Sequence, residues 1–297
     1  MSDTRANLRR KIASAGELQS VVRTMEALAA SSVGQYEESV RALADYDRTV
    51  QLGLGACFRQ RAAAPPGAGP QRPQATVIGA VVFGSDQGLV GQFNEVIVEH
   101  ALKGLAALPG KAQIWAVGER VSARLTDAGL PLQQLLVVPT SVKAISPLVG
   151  RILVDTEASQ PPGEVAELHL FYNRPTSGGA YAPVSQRLLP LDDAWRAERA
   201  ANPWPGKTLP EVFGESATAL RALIREYLFI SLFRACAESL ASENASRLAA
   251  MQRADKNIDD LLEGLNRKFQ RLRQSSIDEE LFDVVSGFEA LSGEKER

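Results

Sequence analysis

AESLASENASRLAAMQRADKNIDDLLEGLNRKFQRL, residues 237–272, decides the fold. Positions 237, 241, 244, 248, 251, 255, 258, 262, 265, 269 and 272 are separated by alternating steps of four and three, and all except Asn244 and Asp255 are apolar. A stripe that returns every ~3.5 residues is a coiled-coil seam, because at that period one helical face keeps meeting a partner helix. No proline follows Pro210, so the helix is expected to run over 210–292; a proline inside it would cost about 3 kcal/mol. At about 1.5 Å per residue such a helix is on the order of 120 Å long and must protrude from any small domain.

The partner lies at the other end of the chain. Ile12, Ala15, Leu18, Val22, Met25, Ala29, Val33, Tyr36, Val40, Leu43, Tyr46, Val50 and Leu54 follow the same three- and four-residue steps, and no proline occurs before Pro65. Each large apolar side chain buried at such a seam contributes roughly 1.5–3 kcal/mol, which outweighs the propensity cost of interruptions such as Gly34 and Gly264. Residues 1–60 and 210–292 are therefore expected to form one antiparallel coiled coil.

All 16 prolines fall from Pro65 to Pro210. A Pro/Gly-rich linker is expected at 61–74, followed by an α/β domain over 75–205. Within it ATVIGAVVF (75–83), AQIWAV (112–117), QLLVV (134–138) and AELHLFY (166–172) read as strands, with helices starting at Asn94, Glu119 and Ser146. Strands alternating with helices predict a Rossmann-like unit with a mostly parallel sheet. The fold class is thus α/β plus a long coiled coil.

Composition excludes several functions. A net charge of −2 over 297 residues gives no basic field for nucleic acid. The two cysteines, Cys57 and Cys236, are too few for a disulfide framework and have no CxxC spacing. The opening MSDTRANLRRKIASAGELQ lacks the apolar core of a signal peptide, and no window reaches the roughly 20 apolar residues of a membrane span.

Candidate chemistry is sparse. GSDQGLVGQFN (84–94) ends the first strand, but its glycines do not make GxGxxG, so it reads as a turn. ANPWPGKT (201–208) resembles a P-loop whose first glycine is alanine; Pro203 and Pro205, however, remove N–H donors that a phosphate cradle needs. A nucleotide-binding enzyme using 201–208 is the alternative this segment keeps open. His100 and His169 have no partners at metal-ligand spacing. No catalytic residue, cofactor or metal site is expected.

The residues also resemble a family. SLASENASRLAAMQRADKNIDDLLEGLNRKFQRLRQSSIDEELFDVVSGFEAL (239–291) is similar to the SLASE, ARMxAM, D-x-N, ARQxxITxEL and IVxGAxAL pattern of the gamma subunit of F-type ATP synthases. RRKIASAGELQSVVRTMEALAAS, SDQGLVGQFN, FYNRP (171–175) and LLPL (188–191) resemble further landmarks of that family in the same order.

The resemblance implies a non-catalytic subunit: a central rotor shaft turning inside the alpha3beta3 ring of F1. Its α/β domain would pack on the epsilon subunit and on the c-ring of F0, coupling ion flow to ATP synthesis or hydrolysis. Membrane association would come only through F0, at the cytoplasmic face of the bacterial cell membrane. Carried over by position, Met25, Arg247, Arg273 and Gln274 are the expected contacts from shaft to ring, with Gln19 and Arg23 as secondary candidates. Glu26, Ser32, Gly34 and Asp278 depart from the family pattern and suggest a divergent or alternate F-type complex. A coiled-coil tether or scaffold with an α/β head would share the helices but not the SLASE and RQSSI segments.

Overall fold

The computed structural model describes residues 4–62, 77–158, 165–176, 180–208, 210 and 216–293. The element order is α1 (Arg5–Ala62), β1 (Val77–Phe83), α2 (Phe93–Ala106), β2 (Lys111–Val117), α3 (Glu119–Asp127), β3 (Leu132–Leu136), α4 (Val142–Ala158), β4 (Val165–Pro175), β5 (Tyr181–Leu189), α5 (Asp193–Ala201) and α6 (Ser216–Gly293). The chain divides into two compact units, one of residues 1–28 with 248–297 and the other of residues 29–247. Both α1 and α6 contribute to each unit.

In the larger unit the sheet order is β3-β2-β1-β4-β5. The pairs β1–β2, β1–β4 and β2–β3 are parallel, and β4–β5 is antiparallel. Strand β1 alternates its side chains as a sheet buried on both faces requires. Ile78, Ala80 and Val82 face one core with Ile97 and Ala101 of α2 and Val121 and Leu125 of α3. Val81 and Phe83 face the other, with Ile145 and Val149 of α4, Val50 and Leu54 of α1, and Ile230 and Phe233 of α6. The long helices thus form part of the wall of the α/β unit.

Two details differ from the sequence expectation. Strand β5 carries no alternation strong enough to announce it; its inner partner is β4, and the pairing runs from Leu168–Leu189 to Pro175–Tyr181. Helix α4 starts at Val142, before the expected Ser146, and accommodates Pro147 in its interior. The linker expected at 61–74 lies, from residue 63 on, outside the described residues.

The smaller unit is a helix pair. Ala15 and Val22 of α1 and Met251 and Ile258 of α6 are buried together, with Met25, Ala254 and Leu262 packed against them. All of these except Ala254 are seam positions read from the sequence. Leu18, however, is 55% exposed. An unsupercoiled helix drifts about 20° per heptad from a 3.5-residue repeat, which carries some stripe positions off the contact line. In the larger unit Tyr46 is likewise 47% exposed, and its neighbour Asp47 is buried instead.

Candidate functional site

A doubly wound sheet binds ligands outside the carboxyl ends of its strands, where the strand order reverses. Here that point lies between β1 and β4, and the chain's own side chains fill it. Asn94 accepts from the Ser85 backbone N–H at 3.0 Å through Oδ1 and donates to Ser85 Oγ at 2.8 Å. Asn173, at the end of β4, donates to the Phe93 carbonyl at 3.0 Å. Ser242 of α6 donates to the Asn173 carbonyl at 3.0 Å, and Ser246 to the Val90 carbonyl at 2.6 Å.

Six consecutive residues of α6, Ser239, Leu240, Ala241, Ser242, Glu243 and Asn244, are buried. A helix buried on every side is enclosed by protein, so small residues are required wherever the backbone passes close to the sheet. This is the physical content of the SLASEN segment: it closes the crevice where other folds of this class hold a nucleotide.

The turn SDQGLVG serves the same purpose. Asp86 Oδ1 accepts from the Glu119 N–H and Oδ2 from the Val138 N–H, each at 3.0 Å, so one carboxylate ties the end of β1 to the start of α3 and to the exit of β3. An anion at the first N–H groups of a helix is also favoured by the helix dipole. Gly118, which opens α3, has φ +119°, and a Cβ there would lie 2.8 Å from the Ser85 carbonyl oxygen. The turn reading of 84–94 holds.

The segment 201–208 is held as a helix exit. It follows α5 rather than a strand, and Arg59 Nη1 donates to the Ala200 and Asn202 carbonyls at 3.0 and 2.6 Å. A cation on the last carbonyls of a helix is a C-terminal cap. A backbone tied down in this way lacks the strand–loop–helix geometry of a phosphate cradle.

The two histidines pack against one aromatic ring. His169, buried on β4, lies 3.0 Å from Glu167 and stacks on Phe171, while His100 meets the same ring edge-on. Among the described residues no group of His, Cys, Asp and Glu is placed to hold a metal. Cys57 and Cys236 are free and buried, and burial raises both thiols above their ordinary value.

The expected contact residues fall into two groups. Met25 packs into the seam. Gln19 donates to Asp259, and Arg23 donates to Asp255 at 3.0 Å, which explains why the stripe tolerates an aspartate. Arg247 is mostly buried; its Nη2 donates to Glu243 at 2.6 Å and its Nη1 to Asn244 at 3.2 Å. Asn244, the other interruption of the stripe, also donates to the Leu240 carbonyl at 2.8 Å. Arg273 and Gln274 are exposed. The sequence reading missed the half-buried Asp86 and the buried Asp47 and Glu243, the acids that organise the larger unit. Glu243 was legible only as the acid of the SLASE segment.

The sequence model described as ATP synthase matches residues 4–291. Among similar curated proteins are the ATP synthase gamma chains of Parafrankia sp. (strain EAN1pec), 31% identical with 96% of each chain covered, and of Arthrobacter sp. (strain FB24), 29% identical with 96% of this chain and 97% of that one covered. A chain of the Euglena gracilis mitochondrial ATP synthase OSCP/F1/c-ring assembly is similar in fold, with a TM-score of 0.69 at 16% identity, covering 99% of this chain and 96% of that one. With the enclosed SLASEN helix and the Asp86 turn as its internal logic, the chain belongs to the ATP synthase gamma chain family.

Proposed function

We propose that this chain is the central-stalk subunit of an F1F0 ATP synthase, rotating within an alpha3beta3 ring and coupling ion flow through F0 to ATP synthesis or hydrolysis. The observation that carries this reading is the enclosed α6 segment, Ser239–Asn244, which fixes a long helix to an α/β unit whose ligand crevice it fills. Such a chain transmits torque and performs no chemistry itself, so it is a non-catalytic subunit. Among the described residues no helix is long and apolar enough to cross a membrane. Attachment at the cytoplasmic face of the cell membrane then runs through the c-ring and the epsilon subunit.

In this reading residues 1–60 and 210–292 supply the shaft and 75–205 the foot. Arg273 and Gln274, exposed on α6, contact the ring. Arg23, Gln19, Met25 and Arg247 are engaged within the chain and reach the ring only by exchanging or sharing those contacts. A rotating interface favours discrete charge-assisted hydrogen bonds that can be made and broken.

Affinity purification tests the proposal. A tagged chain expressed in its native host should retain alpha and beta subunits, each in threefold molar excess over it. Purification of the chain without an ATPase hexamer would refute the assignment.

A further inference from the structure

A cavity of about 180 Å³ opens in the larger unit between α1, the ends of β1 and β3, and α6. Its rim includes Ser32, Asp86 and Thr140, and Tyr36, Glu243 and Arg247 also line it. The Glu243 side chain is only 7% exposed. One of its oxygens, Oε1, accepts from Arg247, whereas Oε2 is buried and has no hydrogen-bond partner. Both oxygens of Asp86 are occupied by backbone N–H groups. Two carboxylates and one guanidinium thus line the pocket, and Arg247 Nε is likewise buried without a partner.

We propose that this pocket receives a primary ammonium group, with Glu243 Oε2 as its principal acceptor. An anion is disfavoured by Asp86 and Glu243 together. A guanidinium fork needs two acceptors in parallel, but only one oxygen of Glu243 is open. An ammonium is a compact charge with three rotatable donors; one would go to Oε2, and the Ser32 and Thr140 side chains that line the same cavity offer hydroxyl acceptors for the others. Without such a cation the carboxyl of Glu243 is raised above its ordinary range, by burial first, with Asp86 adding and Arg247 opposing.

The ammonium comes either from a lysine of a neighbouring subunit, a source that rests on the assembly proposed above, or from a free alkylamine. The two are separable. The full-length chain is titrated with methylammonium chloride at constant ionic strength against tetramethylammonium chloride, which carries the charge but no N–H. The Tm is expected to rise by about 2 °C at saturation in methylammonium only, and the rise is lost in Glu243→Gln, whose amide oxygen still accepts from Arg247. If that variant does not fold, Ser32→Leu, which fills the mouth without changing charge, replaces it. In parallel, the purified complex is treated with a zero-length carbodiimide, and digests are searched for an amide joining Glu243 or Asp86 to a lysine. A methylammonium effect with this cross-link assigns the site to a partner lysine; the effect without it assigns a free amine. Equal response to both salts, or a response that survives Glu243→Gln, overturns the proposal whatever the cross-linking shows.

Discussion

Arg234 of α6 donates to the buried carboxylate of Asp47 on α1 at 2.6 Å, and Gln51 donates to the same oxygen at 2.8 Å. The pair joins the long helices where the apolar stripe would have placed Tyr46. Removing the cation leaves Asp47 buried with a single neutral donor. Arg234→Ala is therefore expected to lower the unfolding free energy by about 1–3 kcal/mol. Because replacing both charges with apolar groups avoids the unpaired charge, Asp47→Leu combined with Arg234→Met should recover part of that loss. Urea unfolding of the free chain measures both; a double variant less stable than the sum of the singles would contradict the pairing.

Two glycines are predicted to respond in opposite directions. At Gly34, within α1, nothing lies within 4 Å of an added Cβ, so Gly34→Ala should stabilise by about 0.5–1 kcal/mol through helix propensity. At Gly118 an added Cβ meets the Ser85 backbone at 2.8–2.9 Å in a conformation that side chains rarely adopt, and Gly118→Ala should destabilise by about 1–3 kcal/mol. Thermal melts of the two variants against the parent decide both.

The buried acid Glu243 gives a pH signature. Its carboxyl is raised above the ordinary 4.5, so the folded chain holds this proton more tightly than the unfolded one. The contribution of this group is fully present below about pH 4.5 and is lost as pH rises through the folded value. Glu243→Gln cannot titrate. The stability of the parent relative to the variant should therefore fall between acidic and neutral pH, as measured by urea unfolding at each pH. A difference that is flat, or that grows with pH, would show that Arg247 outweighs burial.

Which parts were legible in the sequence follows from where the signal resides. Ala15, Val22, Met251 and Ile258 announce the seam because helical periodicity is local, and β1 and β2 announce the sheet through continuous apolar runs. Strand β5 is set by pairing with β4 rather than by its own pattern. Asp86 capping α3 across the sheet and Arg234 meeting Asp47 connect residues 33 and 187 positions apart, and no local rule reports such partners. The family motifs marked SLASEN as distinctive, but only the structure shows that its small residues let α6 close the crevice of the sheet.

Arg273 and Gln274 separate transmission from stability. Both are exposed, and neither has a hydrogen bond or ion pair among the described residues, so Arg273→Ala with Gln274→Ala should change the stability of the free chain by no more than about 0.5 kcal/mol. If they form the breakable contacts between shaft and ring, the double variant should assemble normally yet show reduced ATP-driven ion pumping in inverted membrane vesicles. Because individual exposed polar contacts contribute only about 0–1 kcal/mol, each single variant should show less than the double. Normal assembly with undiminished pumping would remove both residues from the coupling path and leave the shaft's contacts to be sought elsewhere on α6.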